Sequence, residues 1–334
     1  MRNAKLDILR ALAAFLVVCI HVKFPGNFGE YISAIAAVAV PIFFMITGYY
    51  YEQMKKQEKI QKQLRKICKL IVITIGIYIL YGTIITCFKG NSILEYYKSI
   101  FNIKEIVKFL VFNEFSTIGH LWYLPAILYT LILAKCMTNK KNKKYLKCII
   151  PIIFIVYIIT GKYSKIVFGS EFPYYYFRRS FIIEGTLYFY LGYLIKEYED
   201  KINVSINKLY LTNLILLIGT FIEMYILDSS GNNVVASNYI CISLMPISIF
   251  LCAIKETKFI NPNNLFAKIG RKYSTTIYII HPLIIGIMDN CMQRIKLYEI
   301  YSFVAPIIVY VVSIFLAFSA DKIRIKVKGK NKWT

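Results

Sequence analysis

Acidic residues are scarce in this chain of 334 residues: 18 Asp and Glu stand against 41 Lys and Arg, a net charge of +23. Charged residues of both signs make up only 18%, while hydrophobic types reach 57%. Soluble domains carry about 25% charged and about 45–50% apolar residues, so the composition argues against a soluble globular chain. Disorder is excluded by the same balance, because it requires low hydrophobicity. CxxC pairs are missing as well. The eight cysteines are scattered, mostly in apolar runs where cysteine acts as a small hydrophobe, and neither a disulfide framework nor a metal site is expected. Walker loops, dinucleotide glycine patterns and serine nucleophile elbows are also absent. The N-terminal apolar run reaches Ile20 with Arg10 inside it and no clean cleavage site after it, so it reads as a first membrane helix rather than a leader peptide.

A spanning helix needs about 20 predominantly apolar residues. Ten segments approach that, near 6–23, 32–50, 67–88, 120–138, 147–161, 178–195, 209–227, 238–254, 273–290 and 301–320. The expected architecture is therefore an all-α polytopic membrane bundle of about ten transmembrane helices, with both termini cytoplasmic. Residues 1–320 form a single membrane domain and 321–334 a basic cytoplasmic tail. With that orientation, 28 of the 41 Lys and Arg residues fall in cytoplasmic segments and nine in outer ones. This is the positive-inside asymmetry, so nucleic acid is not needed to explain the charge; the basic tail suits anionic membrane lipid. The longest outer segment, 89–119, holds a helical-looking stretch from Ile93 to Phe115 that is expected to lie along the interface.

Ionisable residues inside apolar segments are costly and point to function by default. Arg10 and His21 are eleven residues apart, within about 20° of three whole turns, and so share one face of the first helix about 16 Å apart. Asp7 is placed to pair with Arg10. Either this stripe lines a cavity, or Arg10 snorkels inward and His21 sits at the outer interface. His120 opens a His-Leu-Trp-Tyr-Leu-Pro stretch in which Trp122 and Tyr123 also suit an interfacial aromatic belt. Glu223 and Glu184 lie among apolar neighbours, as substrate-side carboxylates or as ion-pair partners of Arg178 or Arg179. His281 precedes Pro282 in mid-helix, where a structural histidine at a kink and a catalytic one are both reasonable. Lys62, Arg65, Lys66 and Lys69 recur at helical spacing before the third span, as topogenic charge or as an anion site for a phosphate-bearing donor. Phe43 to Tyr49 gives the second span a small-residue end at Gly48, suited to close packing.

In order and spacing, these residues resemble acyltransferase family 3, the polytopic membrane acyltransferases. The likeness runs from Leu6-Asp7-Ile8-Leu9-Arg10 and His21, through Pro41 to Gly48, His120 to Pro125 and Gly192, to Tyr273-Ser274 and His281-Pro282. Within the family the chain looks most like the membrane domain of the vancomycin-resistance serine racemases. No soluble racemase domain is expected in it, so racemisation is not implied. The family's cytoplasmic Arg-x-x-Arg appears as Lys62-x-x-Arg65, with Lys66-x-x-Lys69 directly after it; lysine keeps the charge but not the bidentate fork.

The resemblance implies transfer of an acyl group, usually acetyl, from cytosolic acyl-CoA to a hydroxyl of an envelope polysaccharide or related acceptor, at the cytoplasmic membrane. His21 would be the general base. Arg10 would hold or polarise the donor, and Glu223 or His120 would orient His21 or the acceptor. Lys62, Arg65, Lys66 and Lys69 would bind the CoA phosphates. Asp7, Trp122, Tyr123, Arg179, Glu184 and His281 would support the site. The alternative is a transporter of a small amino acid such as L-serine, working without acyl transfer.

Overall fold

A computed structural model describes residues 3–139, 142–236 and 238–330. Positions 140, 141 and 331–334 of the expected basic segments lie outside the described residues. Among the described residues the chain is helical throughout, with no strand. In order, the helices are α1 (Ala4–His21), α2 (Gly26–Ala36), α3 (Ala39–Tyr49), α4 (Tyr51–Lys56), α5 (Ile60–Phe88), α6 (Ile93–Ile100), α7 (Ile103–Phe112), α8 (Tyr123–Met137) and α9 (Lys143–Ile159). They continue with α10 (Ser164–Phe168), α11 (Tyr175–Arg178), α12 (Thr186–Glu197), α13 (Ile206–Ser229), α14 (Ile240–Lys255), α15 (Leu265–Lys272), α16 (Ser274–Arg294), α17 (Tyr298–Ser302) and α18 (Ala305–Lys330).

Six described runs are long and apolar enough to cross a membrane: Gly26–Lys56, Ile60–Phe88, Gly119–Met137, Ile206–Ser229, Ser274–Arg294 and Ala305–Lys326. They coincide with six of the ten expected spans. The other four correspond to α1, which carries Lys5, Asp7 and Arg10, and to α9, α12 and α14, which have 17, 12 and 16 residues. The sixth expected span does not begin at its arginines: α11 ends at Arg178, and a π-helical turn, Phe181–Gly185, leads into α12. The helical-looking stretch from Ile93 is two helices rather than one. Asn102 caps the second, its side chain accepting from the Glu105 N–H at 3.0 Å, as Ser92 does for Glu95 at the start of α6.

The chain folds into two compact units. The first comprises Met1–Phe43, Val204–Ser229 and Ser237–Thr334. Its core packs Ala11, Ala14 and Val18 of α1 against Ile269 of α15, Ile277 and Ile284 of α16, and Val309 and Ala317 of α18. α1 starts with its Asn3 cap, which accepts from the Lys5 N–H at 2.9 Å. α15 approaches α1 backbone to backbone: a methyl group on Gly270 would lie 1.8 Å from the Asp7 carbonyl oxygen. Tyr310 of α18 donates its hydroxyl to the Ala11 carbonyl at 2.8 Å.

The second unit comprises Phe44–Asn203 and Ser230–Ala236. Here α3 and α12 cross with no side chain between them. A methyl on Gly48 would meet the Phe189 carbonyl oxygen at 1.9 Å, and one on Gly192 would meet that of Met45 at 2.1 Å. The small-residue end expected at Gly48 thus serves close packing. Trp122 and Tyr123 turn inward onto Phe44, with ring centroids 6.2 and 4.8 Å away. Trp122 is buried, so it packs α8 against α3 instead of anchoring an outer belt.

Candidate active-site residues

In the first unit, α1 carries three of the residues singled out in the sequence. Asp7 is buried, and its Oδ1 lies 3.8 Å from Nη1 of the partly buried Arg10, the i, i+3 pairing that the spacing predicts. His21 is the last residue of the helix and is exposed. Its ring centroid lies 5.1 Å from that of His281, with the planes tilted by 44°. His281 is fully buried on α16. Its Nδ1 sits 3.0 Å from the Ile277 carbonyl oxygen, one turn earlier. Its bond to the preceding turn fits the structural reading of this residue, and its place beside His21 fits the functional one.

Glu223, also in the first unit, does something the sequence did not suggest. Its Oε2 accepts from the Ile240 N–H at 2.8 Å and its Oε1 from the Cys241 N–H at 3.0 Å. These are the first turn of α14, whose N-terminal amides have no partners within the helix, and Tyr239 before them offers no side-chain cap. Glu223 is thus a cap delivered from the neighbouring helix α13.

In the second unit, His120 lies in the 3₁₀ turn Ser116–Leu121, half-buried, with its ring 4.7 Å from that of Tyr78 on α5. Glu184 is buried on the π turn, and Arg179 and Arg178 are the positive groups nearest to it in effect. Arg178 reaches the Thr160 carbonyl through Nη1 at 3.4 Å. Lys62, Arg65, Lys66 and Lys69 all lie exposed on α5, which begins seven residues before the expected span. At about 100° per residue they fall within one arc of roughly 100°, opposite the buried Ile67 and Ile71. Among the described residues none of the four forms an ion pair with a carboxylate.

The acyltransferase domain model matches residues 3–320, nearly the whole chain and both compact units. The chain belongs to acyltransferase family 3. An amino-acid racemase of Enterococcus faecalis is 25% identical over 318 residues, which are 87% of this chain and 42% of that protein. A serine/alanine racemase of Enterococcus gallinarum is 22% identical over 315 residues, 90% of this chain and 43% of the relative. The chain therefore spans less than half the length of these curated relatives. No solved structure matches it. The family, together with six apolar helices of spanning length, points to a membrane protein.

Two further residues of the family 3 chain, which belong to no motif named above, organise part of the second unit. Asn113, fully buried, ends α7 in the left-handed conformation at φ 58°, a position asparagine tolerates better than other side chains. Its amide nitrogen reaches the carbonyls of Trp122 and Arg179, both at 3.3 Å, and its Oδ1 accepts from the Phe181 N–H at 2.8 Å. One side chain thereby ties the His120–Trp122 turn to the start of the π turn. Glu114 is buried beside it, and its Oε1 accepts from the Tyr175 hydroxyl at 3.0 Å. Burial pushes the Glu114 carboxyl above its ordinary range, against the lowering effect of the Tyr175 hydrogen bond and of Arg179 and Lys108. The signal was present in the sequence as a polar pair, Asn113-Glu114, set between Phe112 and Phe115.

Proposed function

We propose that this membrane acyltransferase moves an acyl group, in the simplest case acetyl, from cytosolic acyl-CoA to a hydroxyl of a cell-envelope glycan or related acceptor at the cytoplasmic membrane, with about ten spans and both termini inside. The family match over residues 3–320 carries the acyl-transfer part of this reading. The exposed basic face of α5 supports the donor part. α5 has 29 residues, about 44 Å at 1.5 Å per residue. A bilayer core is about 30 Å thick, so the helix is long enough to hold its basic turn in water. Four cations on one face, with no carboxylate paired to them among the described residues, suit the phosphates of CoA.

The chemistry follows from the residues of α1. His21 takes the proton of the acceptor hydroxyl, and the oxygen attacks the thioester carbonyl. The C–O bond forms as the C–S bond breaks, and the CoA thiolate leaves and takes up the proton. An exposed imidazole, whose neutral form has one ring nitrogen able to accept a proton, suits this transfer. Arg10 stabilises the negative charge on the thioester oxygen or holds a donor phosphate, and Asp7 balances it when the site is empty. Glu223 takes no part in proton transfer in this reading, because both its oxygens already face the first turn of α14.

The purified protein in detergent, given radiolabelled acetyl-CoA and an envelope extract, is expected to release CoA and label the extract in a His21-dependent way. The reading fails if acetyl-CoA neither stabilises the protein thermally nor is consumed. Uptake of L-serine into vesicles without acyl-CoA would put transport in its place.

A further inference from the structure

The site as proposed leaves one buried titratable side chain beside the base unaccounted for. His281 is fully buried in the middle of α16, its ring 5.1 Å from that of His21. A carbonyl oxygen only accepts hydrogen bonds, so the 3.0 Å contact from Nδ1 to the Ile277 oxygen requires the proton on Nδ1. In a neutral imidazole this fixes Nε2 as the acceptor. The neighbouring ring of His21 belongs to the last turn of α1, and the two helices share a buried core that includes Ala14, Val18, Ile277 and Ile284. Tyr278, on the same helix, lies 6.2 Å from His281 ring to ring, and Cys19 lies two residues before His21 on α1; Asp7 and Arg10 stand at the other end of α1.

We infer that His281 is a positioning residue for His21: held as the Nδ1–H tautomer by Ile277, it presents Nε2 to the His21 ring, orients the base toward the acceptor, and receives its N–H when His21 becomes imidazolium. The inference rests on the acyl-transfer reading for its catalytic consequence, but not for the coupling of the two rings. It gives His281 no proton to deliver to substrate.

The test uses the full-length protein in detergent, labelled with ¹⁵N-histidine. With three histidines in the chain, signals are assigned with single His→Gln variants. The expected result is an Nδ1–H pattern for His281 and a changed His21 pattern in H281N, which keeps a donor toward Ile277 but has nothing at the Nε2 position. H281Q, which keeps a group at that position, restores part of the wild-type pattern. In turnover, H281N lowers kcat about 10- to 100-fold, short of the 10²–10⁴-fold loss expected of the base itself, and leaves the KM for acetyl-CoA within about twofold; H281Q recovers part of kcat. An Nε2–H tautomer at His281, or a His21 signal indifferent to H281N, overturns the inference. So does a wild-type kcat in a folded H281N protein. If H281N fails to fold, the wild-type tautomer and H281Q decide. If the two rings couple but no acceptor is ever acylated, the acyl-transfer reading fails while the pairing stands.

Discussion

Gly270 of α15 rests directly on the carbonyl of Asp7 in α1, so close that a methyl group there would lie 1.8 Å from the oxygen and 2.9 Å from the Ala11 nitrogen. Both atoms are backbone and neither can swing away. The contact fixes the first turns of the helix that carries Arg10 and His21. Gly270→Ala is therefore expected to destabilise the first unit by about 1–3 kcal/mol or more and to weaken turnover through α1. Thermal unfolding in detergent checks this; a variant melting like wild type would show that α15 has room to give.

The cap at α14 separates two roles for Glu223. As a cap, its loss in Glu223→Ala is expected to cost about 1–2 kcal/mol of stability, while Glu223→Gln, which keeps one good acceptor, retains activity within a few-fold. A proton-transfer role would instead cost about 10²–10⁴-fold in kcat for both variants at unchanged stability. Melting curves beside initial rates tell the two apart.

His21→Ala is expected to abolish acyl transfer, by about 10²–10⁴-fold, with acyl-CoA binding and folding intact. Arg10→Ala is expected to impair turnover or donor affinity and to leave Asp7 buried without its cation, so it melts lower as well. Steady-state kinetics with thermal-shift titration by CoA reads both. Transfer at the wild-type rate in a folded His21→Ala protein would remove the base from this position.

Reversing the charge of Lys62, Arg65 and Lys66 together is expected to raise the KM for acetyl-CoA at least tenfold, about 1.4 kcal/mol, with little change in kcat at saturation. The wild-type KM should rise with salt as screening grows, and the variant should lose that dependence. A salt-independent wild type would leave these cations a topological role only.

Glu114 sets the direction of one pH effect. Burial raises its carboxyl in the folded state, so the folded protein holds that proton over an interval in which the unfolded chain has released it. Stability from this group is therefore complete below the ordinary carboxylate range and is lost as pH rises through the raised value. Glu114→Gln keeps an acceptor for Tyr175 and is expected to flatten this part of the stability profile. Equilibrium unfolding at a series of pH values measures it, and a Gln variant with the wild-type slope would assign the effect elsewhere.

What was legible in the sequence was whatever lies on one helix. The Asp7–Arg10 pair, the basic arc of α5 and the small-residue end at Gly48 follow from period and size alone. What was not legible came from helices meeting. His21 and His281 are brought together only by the packing of α1 on α16. Glu223, with apolar residues on either side, gave no sign that the first turn of α14 would dock against it. The break at Asn102 was missed because an apolar, basic stretch reads as continuous until its capping side chain is counted.

The π turn at Phe181–Gly185 starts from an extended residue, Ser180, and not from the end of α11. Arg178 and Arg179 therefore stand on one piece of backbone and Glu184 on another, joined by a bend and sharing no helical register. On the far side Gly185 leaves little slack, since a methyl added there would sit 2.6 Å from Thr130 Oγ1. The bend at Ser180, more than any side chain, is thus the joint about which these two arginines can be moved relative to Glu184 without altering a single charge.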